Sequence, residues 1–259
     1  MKVAIIGGGN MGGAIARGLA KGSIVKTEDI TVSDPSQKIL DTLKAEYPAI
    51  RVTSDNNTAI ADAHIVLLAV KPWLVEKVLP SLKMEKSRQI LISIAAGITF
   101  EQLIQWTPSG MTIFRLMPNT GIAHLESMTI VCSHNASKEQ ELQVLDIFNE
   151  MGLAMLMPEQ SMPAVTALAS CGIAYALKYI QAAMQAGVEL GLYPKDAQKM
   201  VAQSVKGAAA LLLNDDTHPS IEIDKVCTPG GVTIKGVNEL EHEGFSSAVI
   251  KAMKASCVK

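Results

Sequence analysis

Residues 2–19 constrain the fold of this chain more strongly than any other stretch. The short apolar run Val3–Ile6 predicts a strand that is buried on both faces of a parallel sheet. A Gly7-x-Gly9-x-x-Gly12 pattern follows at once, and apolar residues then recur at helical spacing. Gly7 allows a tight turn, Gly9 lets the backbone approach a pyrophosphate, and Gly12 lets the helix lie close to the strand. We therefore expect a dinucleotide-binding unit rather than a bare strand–helix turn, with the helix N-terminus holding the anion.

Composition excludes several other classes of protein. A chain of 259 residues with a net charge of −2 has room for one or two domains and lacks the positive charge of a nucleic-acid or membrane-surface binder. Four scattered cysteines, with no C-x-x-C pair and no His cluster at metal-ligand spacing, predict reduced thiols, a cytoplasmic location and no metal site. The most apolar stretch, 163–177, is shorter than a membrane span and is closed by Lys178, so no membrane partner is expected.

Strands and helices alternate through the first part of the chain. This alternation predicts an α/β fold with a doubly wound parallel sheet, which we assign to a dinucleotide-binding domain at 1–158. After the first strand, the predicted strands are 30–33, 51–53, 65–70, 89–94, 112–117, 128–132 and 154–156. Ligands on such sheets bind beyond the carboxyl ends of the strands. We therefore expect the segments 56–58, 69–72 and 117–120, which follow strand ends, to gather with the glycine loop around one crevice.

Asp34 has two interpretations at the end of the second strand. Its carboxylate is placed to bind a ribose 2′-hydroxyl, which favours NAD. Alternatively it is the N-cap of a helix at 36–46, with Pro35 as the first helical residue and Gln37 as the capping-box partner. If the cofactor is NADP, then Ser33, Ser36 and Lys38 are the available phosphate contacts. The sequence leaves the choice between NADP and NAD open.

The remaining chain, 159–259, predicts a helical domain. The expected helices are 163–190, 194–213, 219–226, 233–240 and 246–255. The first is rich in Ala and apolar on most sides, so it needs burial on most sides, which a domain of this size cannot supply alone. We therefore expect a homodimer, or a higher homo-oligomer, in which a second subunit covers this helix.

A second chemical feature is the turn at 227–233, Cys-Thr-Pro-Gly-Gly-Val-Thr. Two glycines that enter a helix are typical of a simple helix N-terminus with Thr233 as its cap. The same backbone N–H groups would also make a carboxylate site, with a Thr hydroxyl beside it. We predict that Gly230 and Gly231 bind a substrate carboxylate there.

Five stretches together resemble pyrroline-5-carboxylate reductases, and the resemblance extends from end to end. The matching stretches are 7–12, 69–72, 93–99, 115–120 and the segment from His218-Pro219 through 224–234. Pro-Gly-Gly-x-Thr together with Met-Pro-Asn-Thr is far more specific than the glycine pattern. The resemblance implies an N-terminal Rossmann domain, a C-terminal helical dimerisation domain, and reduction of 1-pyrroline-5-carboxylate to L-proline with NADPH or NADH.

The resemblance also implies roles for individual residues. Thr233, the predicted catalytic residue, holds the ring nitrogen of the substrate, and Thr228 borders its carboxylate. The predicted cofactor-binding residues are Gly7, Gly9, Asn10, Met11, Gly12, Ser33, Asp34, Asn56, Ala69, Val70, Lys71, Pro72, Asn119 and Thr120. Lys71 is either a polarising group near the nicotinamide or an ordinary strand-end lysine. His218 is either an acid or, more simply, a helix cap.

The chain departs from the family pattern at two places. The family's Ser-Gly-Ser-Gly-Pro-Ala-Tyr reads Ala169-Ser170-Cys171-Gly172-Ile173-Ala174-Tyr175 here, and Asp34 stands where a neutral or basic side chain would suit NADP better. Two other functions compete. A 3-hydroxyacid dehydrogenase would carry a catalytic Lys with an Asn one turn later, but Lys178 is followed by Ala182. A noncatalytic dinucleotide-binding regulator would leave the Pro-Gly-Gly-x-Thr turn without a purpose.

Overall fold

A computed structural model describes residues 1–257, so the last two residues of the predicted second domain lie outside the described part. The chain forms two compact units, Met1–Ser170 and a second that begins at Cys171. The predicted domain boundary at 158/159 lies earlier, where the helical sequence begins, and it stays a prediction.

The first unit contains one eight-stranded sheet. Its strands are β1 Val3–Ile6, β2 Ile30–Ser33, β3 Arg51–Thr53, β4 Ile65–Leu68, β5 Ile90–Ser93, β6 Thr112–Met117, β7 Ser127–His134 and β8 Gly152–Leu156. Their order in the sheet is β3-β2-β1-β4-β5-β6-β7-β8. The strand order reverses between β1 and β4, and this switch point is where ligands bind in such folds.

One strand pairing corrects the prediction of a wholly parallel sheet. β7 pairs antiparallel with β6, while all other neighbours, including β8 on β7, are parallel. The connection from β6 to β7 contains only a single 3₁₀ turn, Thr120–His124. A parallel connection needs a crossover of about a dozen residues or more. The chain therefore returns alongside β6 in the opposite direction.

Helices cover both faces of the sheet. They are α1 Asn10–Lys21, α2 Gln37–Glu46, α3 Asn56–Ile60, α4 Pro72–Val78, α5 Phe100–Gln105, α6 Lys138–Asn149 and α7 Met162–Val165. Alternate residues of β1 enter two separate cores, Val3 and Ile5 on one face and Ala4 and Ile6 on the other. This burial on both faces explains why the strand sequence is continuously apolar.

An ion pair between buried Arg115 and partly exposed Glu159 joins β6 to the start of the helical segment. The Arg115 guanidinium donates to the Glu159 carboxylate and also lies over the ring of Phe100, 5.7 Å from its centroid. The same carboxylate accepts from the backbone N–H of Phe100 at 2.8 Å. Because Arg115 is buried, removal of Glu159 would leave its charge without this compensating partner.

The second unit is entirely helical over its described residues. Its helices are α8 Gly172–Glu189, α9 Pro194–Asp215, α10 Pro219–Val226, α11 Val232–His242 and α12 Phe245–Ser256. Ala197 is the single buried residue from 171 to 257, whereas side chains such as Leu177 and Tyr179 are exposed. A set of helices with so little interior exposes much of its apolar surface in the single chain.

A π-helical turn, Thr166–Cys171, lies between α7 and α8. Within residues 1–257, the helical run Glu159–Glu189 is the one segment with the length and composition of a membrane-spanning helix. Sequence reasoning did not identify a segment of that kind, because it required an uninterrupted apolar run. Length and composition are weak evidence for a membrane span, since core and interface helices meet the same criteria.

Candidate functional site

The glycine loop has the geometry that its sequence predicts. Gly7 has φ +101°, and a Cβ there would lie 2.9 Å from the carbonyl oxygen of Ala69. A Cβ on Gly12 would lie 2.0 Å from the carbonyl oxygen of Gly7, so α1 packs on the turn more closely than any side chain allows. Gly9 is the N-cap of α1 and provides no side-chain cap, so the first N–H groups of the helix are available to a ligand.

A crevice of about 500 Å³ opens beside this loop. The residues that line it follow β1, β4, β5 and β6 and include one residue of the π-helical turn. They are Gly9, Asn10, Met11, Ala14, Ala69, Val70, Lys71, Pro72, Ile94, Ala95, Ala96, Met117, Pro118, Thr120, Ile122, Ala123 and Ser170. The crevice therefore lies at the carboxyl ends of the strands and next to the switch point, as expected.

The predicted cofactor residues divide into three groups. Those that line the crevice are Gly9, Asn10, Met11, Ala69, Val70, Lys71, Pro72 and Thr120. Gly7 and Gly12 do not line the crevice but allow the tight turn and the close packing of α1 on it. The other four do not line the crevice. Ser33 ends β2, Asp34 follows it, and Asn56 begins α3 after β3. The Asn119 side chain is engaged within the protein.

Asp34 is held by the backbone on both sides. Its Oδ2 accepts from the N–H of Gly8 at 2.8 Å, and its Oδ1 accepts from the N–H of Ser36 at 2.8 Å. The alternative that made Asp34 the helix cap is wrong, because α2 begins at Gln37 and Ser36 occupies the N-cap position. The Asp34 side chain satisfies the turn before the helix instead, and thereby joins β2 to the glycine loop.

Ser33 and Asn56 form a neighbouring pair. The Ser33 hydroxyl is fully buried and donates to Asn56 Oδ1 at 2.7 Å. Since β3 lies beyond β2 in the sheet, this pair stands on the opposite side of β1 from the crevice. The segment 56–58 is therefore not among the residues that line this crevice, and the assignment of Asn56 to the cofactor stays a prediction.

Ser170 is a crevice residue that sequence reasoning missed. It belongs to the π-helical turn, and the carbonyl oxygen of the preceding Ala169 accepts from the Asn119 side chain at 3.0 Å. Oδ1 of Asn119 accepts from the N–H of Gly121 at 2.9 Å. π-Helical turns are frequent at functional sites. The departure of 169–175 from the family pattern was the available signal.

Met117 and Pro118 also line the crevice and belong to the expected segment 117–120, whereas Ala95 and Ala96 line it without having been predicted as site residues. Each lies at or just after the end of β5 or β6. Extending the strand-end rule to every parallel strand would have identified Ala95 and Ala96. Lys71 is exposed at the N-cap position of α4, and its backbone continues from β4 into the crevice.

In the second unit, the glycine turn precedes α11. Gly230 has φ +71°, which only glycine adopts readily, and Gly231 is the N-cap without a side-chain cap. A Cβ on Gly231 would lie 2.5 Å from the hydroxyl oxygen of Thr228, so these two residues are closely packed. Thr233 is not the cap; it lies inside the helix, where it lines an apolar groove of about 830 Å³ with Tyr175.

One detail corrects the predicted carboxylate site. The N–H of Gly231 donates to the carbonyl oxygen of Thr228 at 2.9 Å, so it is engaged within the turn. The N–H groups that remain for an anion are that of Gly230 and those of the first turn of α11. His218 is the N-cap of α10, and its Nδ1 accepts from the N–H of Ser220 at 3.2 Å, which confirms the capping interpretation.

The crevice fits the dinucleotide that the fold implies. The uncapped N-terminus of α1, the close approach at Gly9 and the small side chains of Ala95 and Ala96 leave space for a pyrophosphate and a flat ring. Across residues 1–257, no group of three or more His, Cys, Asp or Glu side chains is placed to hold a metal ion.

Comparisons with known proteins agree with this arrangement. Residues 159–259 match the family model for pyrroline-5-carboxylate reductase dimerisation, and residues 2–97 match that for NADP oxidoreductase, coenzyme F420-dependent. A solved pyrroline carboxylate reductase from Plasmodium falciparum, with NADP bound, is 31% identical with a TM-score of 0.87. The alignment covers 99% of this chain and 95% of that one.

Curated relatives lead to the same family. Pyrroline-5-carboxylate reductase 2 of Dictyostelium discoideum is 37% identical, over 99% of this chain and 91% of the relative. Pyrroline-5-carboxylate reductase 1 of the same organism is 38% identical over 99% of this chain, which spans about half (49%) of that longer relative. With its mostly parallel Rossmann sheet, its uncapped glycine loop and its helical second unit, this chain belongs to the pyrroline-5-carboxylate reductase family.

Proposed function

We propose that this chain reduces 1-pyrroline-5-carboxylate to L-proline, the last step of proline biosynthesis, with NADPH or NADH as reductant. The observation that carries the proposal is the open crevice at the switch point, lined by the uncapped glycine loop, in a chain related to this family over its full length. The 3-hydroxyacid dehydrogenase alternative lacks support, because the expected Asn after Lys178 is replaced by Ala182.

The first unit supplies the dinucleotide site. N–H groups at the start of α1 hold the pyrophosphate, because their partial positive charge and free donors suit an anion. The crevice walls formed by residues 69–72, Ala95 and Ala96 orient the nicotinamide end and limit the access of water. Lys71 is the cation among the lining residues, and it is exposed at the crevice mouth.

When bound, the reduced nicotinamide supplies a hydride to the C=N carbon of the substrate. The imine accepts it more readily when its nitrogen is protonated, because the new C–H bond then neutralises the positive charge. The enzyme's contribution is to hold the two reactants in line and to exclude water. The product amine takes its further proton from water, and His218 is not assigned as an acid because its ring caps α10.

The second unit supplies the substrate-binding turn. We assign the substrate carboxylate to the N–H of Gly230 and to the first turn of α11, with Thr228 at its border. We assign the Thr233 hydroxyl to the ring nitrogen, since this exposed residue lines the apolar groove next to the turn. Gly231 contributes by shape, since a side chain there would collide with Thr228.

We assign the exposed apolar faces of the second unit to a homodimer. The groove lined by Tyr175, Thr233 and Leu240 belongs to a unit with a single buried residue among those described, which is the condition expected of a subunit seen alone. Burial in this homodimer interface would account for the apolar character of the helical run Glu159–Glu189 without a membrane. We assign the enzyme to the cytoplasm, in keeping with four cysteines that form no disulfide in the structure.

The test is oxidation of NADPH and of NADH by the purified protein in the presence of 1-pyrroline-5-carboxylate. We expect substrate-dependent oxidation with at least one of the two cofactors. Cofactor binding without any turnover would instead support the noncatalytic regulator. Failure to bind either dinucleotide would remove the assignment of the crevice as well.

A further inference from the structure

The side chains that follow β2 carry an inference about which nicotinamide cofactor this chain prefers, and it rests on the proposed function. We infer that Asp34 discriminates between the two cofactors at their adenosine ribose, so that the protein binds NADH more tightly than NADPH. The two cofactors differ only by a phosphate on the 2′-oxygen of the adenosine ribose. The groups that meet this oxygen therefore decide the preference.

Asp34 is fixed at the position where this fold receives the ribose. The side chain is only 8% exposed, and its two oxygens accept from the N–H groups of Gly8 and Ser36, each at 2.8 Å. Gly8 belongs to the glycine loop, so the carboxylate is attached to the element that holds the pyrophosphate. An ionised carboxylate has about four acceptor positions, and the two N–H groups use only two of them. A ribose 2′-hydroxyl can donate to those that remain.

Two of the groups near this position that could bind a 2′-phosphate are engaged elsewhere. The Ser33 hydroxyl is fully buried and gives its proton to Asn56 Oδ1 at 2.7 Å. Arg17 lies beside the loop, with its Nη1 3.0 Å from where a Cβ on Gly13 would be, but its guanidinium binds the Glu46 carboxylate through two nitrogens. Hydrogen bonding to Glu46 raises the pKa of Arg17, and the Glu46 carboxylate balances its positive charge.

Lys38 is the remaining cation on the first turn of α2, and it is exposed. An exposed ammonium on a flexible stem is well hydrated and screened by salt, so it attracts a phosphate weakly. Asp34 is instead buried and rigidly held beside the ribose position, where repulsion of a phosphate dianion is least screened. The balance of charge therefore favours the 2′-hydroxyl, although the related Plasmodium falciparum structure contains NADP.

The test is equilibrium binding to the full-length protein, which does not depend on turnover. Titration with NADH and NADPH is paired with titration by adenosine 5′-diphosphate and adenosine 2′,5′-diphosphate, which probe the adenosine end alone. We expect the wild-type protein to bind each ligand without the 2′-phosphate at least about tenfold more tightly than its phosphorylated counterpart. Added salt should narrow both ratios, because the discrimination is a repulsion.

Two variants distinguish the effect of the Asp34 charge at the ribose position from the effect of a negative charge elsewhere on the protein. Asp34→Asn removes the charge at nearly constant shape and should bring the NADPH-to-NADH dissociation-constant ratio close to one. Asp41→Asn removes the same charge from an exposed position on α2 and should leave the ratio within about twofold of wild type. Circular dichroism checks that both variants fold, and Asp34→Ser is the substitute if Asp34→Asn does not.

Equal or tighter binding of NADPH by the wild-type protein would overturn the inference, as would an unchanged ratio in a folded Asp34 variant. These binding results stand whether or not 1-pyrroline-5-carboxylate is reduced. Failure of the proposed reaction is therefore distinguishable from failure of the inferred cofactor preference.

Discussion

The side-chain amide of Asn119 donates to the carbonyl oxygen of Ala169 at 3.0 Å, and this bond joins the loop after β6 to the π-helical turn that carries Ser170. Asn119 is 8% exposed and does not line the crevice itself. Its assignment to the cofactor stays a prediction, and from these bonds we expect it to act by positioning Ser170 and Thr120.

The Asn119→Ala variant tests this positioning role. It removes the bonds to the Ala169 carbonyl and from the Gly121 N–H, so the free energy of unfolding should fall by about 1–3 kcal/mol. Dinucleotide binding should weaken as well, because the crevice wall loosens. Denaturant unfolding and dinucleotide titration measure the two effects. Asn149→Ala is the matched control. It removes a bond from the Ala154 N–H, which does not involve a residue of the crevice, and should leave binding unchanged. Equal binding by both variants would contradict the role of Asn119.

Two glycine variants should separate folding from cofactor binding. A Cβ on Gly9 meets no atom within 4 Å, so Gly9→Ala should fold normally and yet lose dinucleotide affinity, because the methyl group occupies the pyrophosphate position. In Gly12→Ala the free energy of unfolding should fall by at least about 1–3 kcal/mol, since the new Cβ would lie 2.0 Å from the Gly7 carbonyl oxygen. Thermal unfolding with and without dinucleotide distinguishes the two variants.

Gly207→Ala provides the control for these glycine changes. Gly207 lies in the interior of α9, and a Cβ there meets no atom within 4 Å, so alanine should stabilise the helix by about 0.5–1 kcal/mol. If Gly9→Ala retained full dinucleotide affinity, the glycine loop would not be the pyrophosphate site.

The Thr233→Val variant tests the substrate-binding turn. Loss of one hydrogen bond to the ring nitrogen should raise the activation free energy by about 1–3 kcal/mol, with dinucleotide affinity nearly unchanged. Thr217→Val makes the same chemical change before α10, where the hydroxyl bonds Glu222, and should leave turnover unaffected. Steady-state kinetics and dinucleotide titration measure the two properties. Unchanged turnover in Thr233→Val would remove this residue from the mechanism.

Cys132 gives the protein a pH dependence that does not involve the site. Burial raises the pKa of this thiol from 9.0 to about 11. The thiol therefore keeps its proton in the folded state over a pH range in which the unfolded state loses it. The free energy of unfolding should accordingly be fully retained below pH 9 and fall as the pH rises from 9 to 11.

Unfolding curves across this pH range measure the effect of Cys132. The Cys132→Ala variant should show a flatter dependence, and alkylation of native protein near neutral pH should spare Cys132 while reaching the partly exposed Cys171. An equally steep dependence in Cys132→Ala would assign the pH effect to other groups.

Much of the first unit is predictable from sequence because the inner parallel strands β1, β4 and β5 are buried on both faces. β1, β2, β3 and β6 have the predicted bounds, and the expected α10 at 219–226 is also confirmed. The direction of β7 was not predictable from periodicity, since an apolar strand has the same pattern in either direction. It depends on the shortness of the connection after β6, which only a count of loop residues reveals.

The site was predictable in part for a related reason. Strand ends identify segments 69–72 and 117–120, but the placement of Asn56 requires the strand order, in which β2 separates β3 from the crevice side of β1. The bonds from Asp34 to Gly8 and from Asn119 to Ala169 join residues far apart in sequence. Local propensity does not describe contacts between distant residues, so these two bonds could not be predicted from the sequence.

The most direct test of the central claim is the identification of the product. The purified protein is supplied with 1-pyrroline-5-carboxylate and a reduced nicotinamide cofactor, and L-proline and oxidised cofactor are quantified together by mass spectrometry and absorbance. We predict that they appear in equal amounts, and that both are lost in Gly9→Ala. Cofactor binding with no proline formed from either NADH or NADPH would contradict this prediction.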